Sequence, residues 1–123
     1  MAKTIGFGIL GAGLIAPFHA KAVRDTQGGK LIAVCDLARE RADKLGAEFG
    51  VKVYYQLDDM LRDPEIDVVN VALPNHLHHE SVLKCAAAGK HVLTEKPPAM
   101  SLKETDEMIA ACQQAGVKFG CTV

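Results

Sequence analysis

The sequence predicts an α/β fold: a doubly wound sheet of six parallel strands, in the order 3-2-1-4-5-6, with helices on both faces. Six short apolar segments alternate with five amphipathic segments along the chain. Each predicted helix ends at a glycine or a proline, which interrupts it before the next strand. The fourth apolar segment, residues 66–73, is almost wholly apolar, as expected for a strand covered on both faces. This alternation suits right-handed parallel crossovers within one domain.

Turn residues and caps set the limits of the predicted elements. Pro17 falls in the first turn of the first helix, where no N–H is needed. Ser101 and Glu104 form a capping box at the start of the last helix, and the short third helix closes before Pro64. The predicted strands are residues 4–10, 30–35, 51–55, 66–73, 91–94 and 117–123. The predicted helices are residues 14–27, 37–49, 57–61, 76–88 and 101–115.

Length and composition restrict the possible partners. The chain has 123 residues, a net charge of −1 and 24% charged residues, which is typical of one globular domain. There is no basic excess for nucleic acid or a membrane surface, and aromatic residues make up only 5%, so we expect neither partner. No segment approaches the roughly 18 apolar residues of a membrane span.

Cysteine usage indicates a reducing compartment. The four cysteines show no C-x-x-C spacing, and two fall in predicted strands and two in predicted helices. We therefore expect reduced, mostly buried thiols without disulfide bonds, in a cytoplasmic protein. The residues are Cys35, Cys85, Cys112 and Cys121.

A glycine-rich turn between the first strand and the first helix predicts an anion site. Residues 5–15 read I-G-F-G-I-L-G-A-G-L-I. Gly11 permits the turn, Gly13 lets a phosphate approach the backbone, and Ala16 takes the third small position of G-x-G-x-x-G/A. The N–H groups and positive dipole end of the following helix favour an anion there. Alone, the pattern also fits a glycine-rich turn in any α/β protein.

A second feature favours a dinucleotide over the simpler interpretation. The motif requires an acidic residue about 20 residues further on, at the end of the next strand, to bind ribose hydroxyls. Asp36 stands at the end of the predicted second strand. It could also cap the following helix, and the two roles are compatible. Because ligands of such sheets bind beyond the carboxyl ends of the strands, we expect residues 11–15, 73–75 and 95–96 to join Asp36 around one cleft.

Three segments together resemble one family. They are G-A-G-L-I-A at 11–16, A-L-P-N-H-L-H-H-E at 72–80 and G-K-H-V-L-T-E-K-P at 89–97. They resemble the glucose-fructose oxidoreductase/inositol dehydrogenase/rhizopine-catabolism (Gfo/Idh/MocA) family. The resemblance implies a Rossmann domain over residues 1–123 and an NAD(P)-dependent oxidoreductase acting on sugars, cyclitols or related polyols. It covers only the family's dinucleotide-binding half, so we expect a fragment or an excised domain without the α/β substrate domain. A homo-oligomer is possible for the full-length protein.

The resemblance also assigns roles to individual residues. Lys96 would reach the substrate hydroxyl as the catalytic residue. Leu73 replaces the threonine that the family often has there, which leaves only backbone contacts with the cofactor at that position. The Lys96–Pro97 peptide bond is expected to be cis. The implied cofactor-binding residues are Gly11, Gly13, Leu14 and Ile15 at the pyrophosphate, Asp36 at the adenosine ribose, Leu73, Pro74, Asn75 and His78 towards the nicotinamide, and Glu95 and Lys96 beside the nicotinamide ribose.

Alternatives exist for several of these interpretations. Lys96 could be an ordinary lysine in a strand-to-loop turn. The histidine cluster at 76–80 has possible metal ligands at helical spacing, but no third ligand follows, so we expect no metal. The charge of Asp36 predicts NAD over NADP, although Arg39 and Arg41 lie nearby in sequence. A different functional class is a stand-alone dinucleotide-binding or redox-sensing module without turnover.

Overall fold

The computed structural model describes residues 4–95 and 101–122, and for Asn75, Glu95, Cys121 and Thr122 it describes the backbone alone. The predicted fold class and strand order are confirmed, because six strands pair in parallel in the order 3-2-1-4-5-6. The strands are β1 (Ile5–Leu10), β2 (Gly29–Cys35), β3 (Lys52–Tyr54), β4 (Val68–Val71), β5 (His91–Glu95) and β6 (Phe119–Thr122). The helices are α1 (Ala16–Asp25), α2 (Arg39–Phe49), α3 (Leu57–Leu61), α4 (His78–Ala87) and α5 (Leu102–Ala115).

Several elements are shorter than predicted, and the difference lies at their ends. Strand β4 stops at Val71, before the Pro74 that lacks an N–H for the ladder. The predicted helix at 76–88 begins as a 3₁₀ turn over Asn75–Leu77 before α4. Strand β3 ends at Tyr54, one residue early. These shorter elements lengthen the loops at the carboxyl ends of the strands, where the cleft is expected.

Helices cover the sheet in two layers. Helices α3, α4 and α5 pack on one face, where Met60, Val82 and Met108 are completely buried. Helices α1 and α2 pack on the other, where Ile9, Ala16 and Ala20 have no exposed surface. Ala16 thus lies where the glycine motif predicted close packing between helix and strand.

A polar network ties the amino ends of the strands together. Asp63 is only 4% exposed and lies between α3 and β4. Its Oδ2 accepts hydrogen bonds from Lys52 Nζ at 3.0 Å and Tyr54 OH at 2.8 Å, and its Oδ1 accepts one from the Glu65 N–H at 2.9 Å. Lys90 Nζ donates to the Asp63 carbonyl oxygen at 2.9 Å. Burial raises the pKa of Asp63, but these hydrogen bonds outweigh burial and leave the pKa below its ordinary value.

Three of the four cysteines are described, and all three are buried free thiols, as predicted. Burial raises the pKa of both Cys35 and Cys85 to about 12, and it raises the pKa of Cys112 as well. These thiols are therefore protonated at neutral pH. The side chain of Cys121 lies outside the described part of the chain.

Within the described residues, no helix combines the length and the hydrophobicity needed to cross a membrane.

Candidate functional site

The carboxyl ends of the strands are in register, and they bring the predicted site residues to one edge. Leu10 of β1 pairs with Cys35 of β2 and with Val71 of β4, and Cys35 pairs with Tyr54 of β3. The residue after each strand therefore emerges at the same level. These residues include Gly11, Asp36, Tyr55 and Ala72.

Gly11 is required by the fold itself. Its φ is +104°, in a region that side chains rarely adopt. A Cβ built on Gly11 would lie 2.7 Å from the Ala72 carbonyl oxygen and 3.1 Å from Leu73 Cδ2. The first strand and the loop after β4 can approach this closely only because Gly11 has no side chain.

Gly13 has no such packing reason to be glycine. A Cβ built there would have no atom within 4 Å, and its φ is not in the left-handed region. The space above Gly13 is open, and α1 begins at Ala16. Pro17 has no N–H, and the Ala16 and Phe18 N–H groups donate to the Gly13 and Ile15 carbonyl oxygens. An anion would therefore approach the backbone of the turn itself, at the positive end of the helix dipole. Leu14 is 96% exposed and Ile15 is 38% exposed beside Gly13. The turn therefore leaves room for an anionic group to approach the backbone.

The Asp36 carboxylate links the glycine turn to the start of α2. It is 7% exposed, and its Oδ2 accepts a hydrogen bond of 2.8 Å from the Ala12 N–H. Its Oδ1 accepts one of 2.8 Å from the Ala38 N–H and lies 3.4 Å from Arg41 Nη2. The alternative role considered for Asp36, the N-cap of α2, is not observed, because Ala38 occupies that position. Oδ1 has two donors and Oδ2 has one, so Oδ2 keeps a lone pair for a ribose hydroxyl, and a second hydroxyl would share Oδ1 with Arg41.

A cavity of about 600 Å³ extends from Asp36 between the starts of α2, α3 and α4. This volume is within the usual range for small-molecule sites. Its lining combines leucine side chains with polar and charged groups that include Asp58, Glu80 and Lys84, a mixture that suits a nucleoside. The lining includes Leu10, Cys35, Asp36, Leu37, Ala38, Arg41, Tyr55, Gln56, Leu73, Pro74 and Leu77.

His78 supports the loop after β4 from beneath. It is 1% exposed, and its Nε2 donates a 2.7 Å hydrogen bond to the Leu73 carbonyl oxygen. Leu73 is half-buried and Pro74 is exposed, and both line the cavity. The structure thus places His78 against the protein, where it fixes the backbone of Leu73, rather than on the surface of the cleft.

The neighbouring histidines point to different partners. His79 lies between two glutamates of α5, with Nδ1 3.8 Å from Glu104 Oε2 and Nε2 3.2 Å from Glu107 Oε1. It therefore ties α4 to α5, whereas His78 binds the loop, and His76 is exposed. Across residues 4–95 and 101–122, no three histidine, cysteine or acidic residues are arranged to hold a metal ion.

The nicotinamide end of the predicted site is described only in part. Asn75 lies in the 3₁₀ turn and Glu95 is the last residue of β5, but their side chains are outside the described set. Lys96 and Pro97 also lie outside the described residues. The catalytic role of Lys96 and the cis Lys96–Pro97 bond stay predictions.

Sequence reasoning missed Tyr55 as a residue of the cavity. The third strand was expected to include Tyr55, whereas β3 ends at Tyr54 and leaves Tyr55 in the same position after its strand as Asp36. The signal was present: the rule that ligands bind beyond the carboxyl ends applies to β3 as well as to β2.

Comparison with known proteins identifies the family. The model of an oxidoreductase family, described as an NAD-binding Rossmann fold and named for glucose-fructose oxidoreductase, inositol dehydrogenase and MocA, matches residues 5–123. The chain belongs to the Gfo/Idh/MocA family. It is the NAD-binding domain of that family, which confirms the resemblance seen in its three motifs.

The relatives are about three times as long as this chain. A 2,7-anhydro-N-acetylneuraminate hydratase from Mediterraneibacter gnavus is 35% identical, over 95% of this chain and 31% of its own length. A 1,5-anhydro-D-fructose reductase from Ensifer adhaerens is 38% identical, over 93% of this chain and 34% of its own. The WlbA dehydrogenase from Bordetella pertussis, solved with NADH and UDP-GlcNAcA, superimposes with a TM-score of 0.93 at 31% identity, covering 98% of this chain and 37% of that one.

Proposed function

We propose that this chain is the cofactor-binding part of a cytoplasmic NAD(H)-dependent dehydrogenase acting on a hydroxyl or carbonyl carbon of a sugar, cyclitol or related polyol. One observation carries the proposal: Gly13 stands below open space, directly after Ala12, whose N–H donates to the Asp36 carboxylate. A glycine with no packing reason at that point suits close approach of a pyrophosphate. The relatives named as a reductase and a dehydrogenase support the reaction class.

Each residue of the cleft has a defined task in this proposal. The turn at Gly11 and Gly13 and the first turn of α1 bind the pyrophosphate, and Asp36 accepts hydrogen bonds from the adenosine ribose. The cavity takes the adenine. Leu73, Pro74, Asn75 and His78 form or support the route to the other end of the cleft, where Glu95 and Lys96 flank the nicotinamide ribose. The bound nicotinamide accepts or donates the hydride.

Lys96 has the proton-transfer task. In oxidation its neutral amine would accept the hydroxyl proton as the hydride leaves the carbon for the nicotinamide, and in reduction its ammonium would give a proton to the carbonyl oxygen as the hydride arrives. The remaining contacts with substrate would come from the part of the protein beyond this third of its relatives' length. We therefore expect the 123-residue chain to bind the dinucleotide but to turn over no substrate at a meaningful rate, because an open nicotinamide lacks a positioned partner.

The cofactor preference is NAD over NADP. The buried Asp36 carboxylate suits two ribose hydroxyls and repels a 2′-phosphate. Arg41 lies 3.4 Å away but is 61% exposed at its side chain, so it offsets this charge only weakly.

Titration with NADH, followed by its fluorescence, tests the binding half of the proposal. We expect saturable binding to the 123-residue chain and no NAD reduction with a panel of polyols. A polypeptide that continues for roughly 200 residues, at the scale of one more domain, should show dehydrogenase activity that Lys96→Ala lowers in kcat more than in NAD affinity. Absence of NADH binding to the folded chain would refute the proposal.

A module that binds the dinucleotide without turnover is the second candidate. The observation that favours it is that the residues proposed to bind the pyrophosphate and the adenosine, around the glycine turn, Asp36 and the cavity, all lie in this chain. Binding therefore does not depend on another domain, and a sensor would need nothing more. Turnover by the longer polypeptide decides between the two functions.

A further inference from the structure

Tyr55 lines the cavity and has two side-chain contacts that orient its ring. It follows β3 as Asp36 follows β2, and its ring lines the cavity. The guanidinium carbon of Arg39 lies 4.2 Å from the centroid of the ring. The phenol donates a 2.6 Å hydrogen bond to Asp43 Oδ1.

These two contacts come from one helix. Arg39 opens α2 and Asp43 lies one turn further along it. Arg39 covers one face of the Tyr55 ring, and Asp43 accepts the hydrogen bond of its hydroxyl group. An aromatic ring that is fixed before a ligand arrives loses little conformational freedom on binding.

Among the described residues that line the cavity, Tyr55 is the sole aromatic residue. The other described lining side chains are aliphatic, such as Leu37, Leu73 and Leu77, or polar, and none of them has an aromatic ring face. A nucleoside base has two flat faces that stack well on aromatic rings, whatever its hydrogen-bonding edge. The cavity therefore offers one preferred surface to a base.

We propose that Tyr55, positioned by Arg39 and Asp43, is the surface on which the adenine base of the dinucleotide stacks. This inference rests on the proposed function. It extends the list of cofactor-binding residues and predicts that ADP-ribose, which lacks nicotinamide, binds this chain through the same base contact. In this arrangement Tyr55 binds the adenine base and the glycine turn binds the pyrophosphate of the same ligand.

Calorimetric titration with ADP-ribose and with NAD tests the proposal on the 123-residue chain. Tyr55→Leu should weaken both ligands about tenfold or more, as expected for loss of one base–aromatic stack. Tyr55→Phe keeps the ring and should stay within about threefold of the unmodified chain. Arg39→Met should give a smaller loss, because the ring stays but its orientation is less fixed.

The chain offers a matched control for Arg39. Arg24 also lies over an aromatic ring, that of Phe49, at 5.5 Å, and neither residue lines the cavity. Arg24→Met therefore removes a surface cation–π pair without touching the proposed stack, and should leave both affinities unchanged. Thermal unfolding of each variant shows whether a loss of affinity comes from a loss of fold.

A direct readout comes from NMR, for which a chain of 13.2 kDa is well suited. Nuclear Overhauser contacts between adenine H2 or H8 and the Tyr55 ring protons are expected in the ADP-ribose complex. Unchanged affinity in folded Tyr55→Leu, or a bound adenine without contacts to Tyr55, would overturn the stacking role while leaving the dinucleotide function intact. If the unmodified chain binds neither ligand, the proposed function itself fails.

Discussion

The Asp36 carboxylate accepts a 2.8 Å hydrogen bond from the backbone N–H of Ala12, inside the glycine turn. The residue expected to bind the ribose is thus attached to the residues expected to bind the pyrophosphate. A change at Asp36 therefore acts on two parts of the cleft at once. Its other oxygen accepts a hydrogen bond from the Ala38 N–H, so the same carboxylate also holds the start of α2.

Asp36→Ser should narrow the difference in affinity between NAD and NADP. It removes the charge that opposes a 2′-phosphate, and like charges in close contact cost several kcal/mol. We expect the ratio of the two dissociation constants to fall about tenfold or more, measured by titration with both cofactors. Asp36→Asn also removes the charge but keeps a side-chain oxygen for the Ala12 N–H, so it separates the loss of charge from the loss of this hydrogen bond. Equal affinity of the unmodified chain for NAD and NADP would contradict the assignment.

The two glycines of the turn should separate folding from binding. Gly11→Ala places a Cβ against the Ala72 carbonyl at a positive φ, and should destabilise the fold by about 1–3 kcal/mol. Gly13→Ala meets open space and should leave the melting temperature nearly unchanged. We expect it to weaken NADH binding markedly, because the methyl group occupies the path of the pyrophosphate. Thermal unfolding and NADH titration of both variants check this, and a Gly13→Ala variant with normal affinity would remove the pyrophosphate from this position.

Acid should weaken the fold through Asp63. Because its pKa is lower in the folded chain than its ordinary value of 3.8, the carboxylate stabilises the fold above that value. This contribution is lost as the pH falls through 3.8 towards the folded pKa. Asp63→Asn should lower stability at neutral pH by about 1–3 kcal/mol, since Lys52, Tyr54 and the Glu65 N–H lose a charged acceptor that is itself buried, and should flatten the acid side of the stability curve. Urea unfolding at several pH values measures both effects, and an identical acid dependence in the variant would assign it to other carboxylates.

Cys35, Cys85 and Cys112 should resist alkylation in the native chain. They are at most 2% exposed, and burial raises the pKa of each thiol, so reactive thiolate is scarce at pH 8. Iodoacetamide labelling followed by peptide mass spectrometry should find these three unmodified without denaturant and modified in urea. Rapid native labelling of Cys35, at the floor of the cavity, would show that the cavity opens more deeply than the structure indicates.

The sequence predicted the helices and strands because the period of the apolar residues and the positions of glycine and proline depend on nearby residues alone. The sheet order then followed from the alternation of strands and helices. The limits of β3 and β4 were less well predicted, since a strand ends where its neighbour stops pairing, and that depends on residues far away in the chain. The same limitation hid Tyr55. The sequence also left open a capping role for Asp36. In the structure Ala38 is the N-cap of α2, and the Asp36 carboxylate accepts a hydrogen bond from Ala12, 24 positions earlier.

The role of His78 shows a second limit. Its position after Pro74 and Asn75 placed it next to the loop after β4. The direction of its side chain, which is buried and donates to the Leu73 carbonyl oxygen, could not be read from that position. A motif locates a residue along the chain, and packing decides whether that residue faces the ligand or holds the residue that does. For Lys96 the resemblance remains the basis of the assignment.

None of the described side chains that bind Asp63 in the polar network lines the cavity, whereas Leu37, Tyr55 and Pro74 do so at the carboxyl ends of the strands. Residues that secure the sheet and residues proposed to contact a ligand are therefore separate sets, even where they are neighbours in the chain, as Tyr54 and Tyr55 are. Substitutions in the loops at the cleft need not weaken the network, and the network can be strengthened without altering the cleft. A scaffold divided in this way is free to acquire new ligand preferences in the course of evolution with little loss of folding stability.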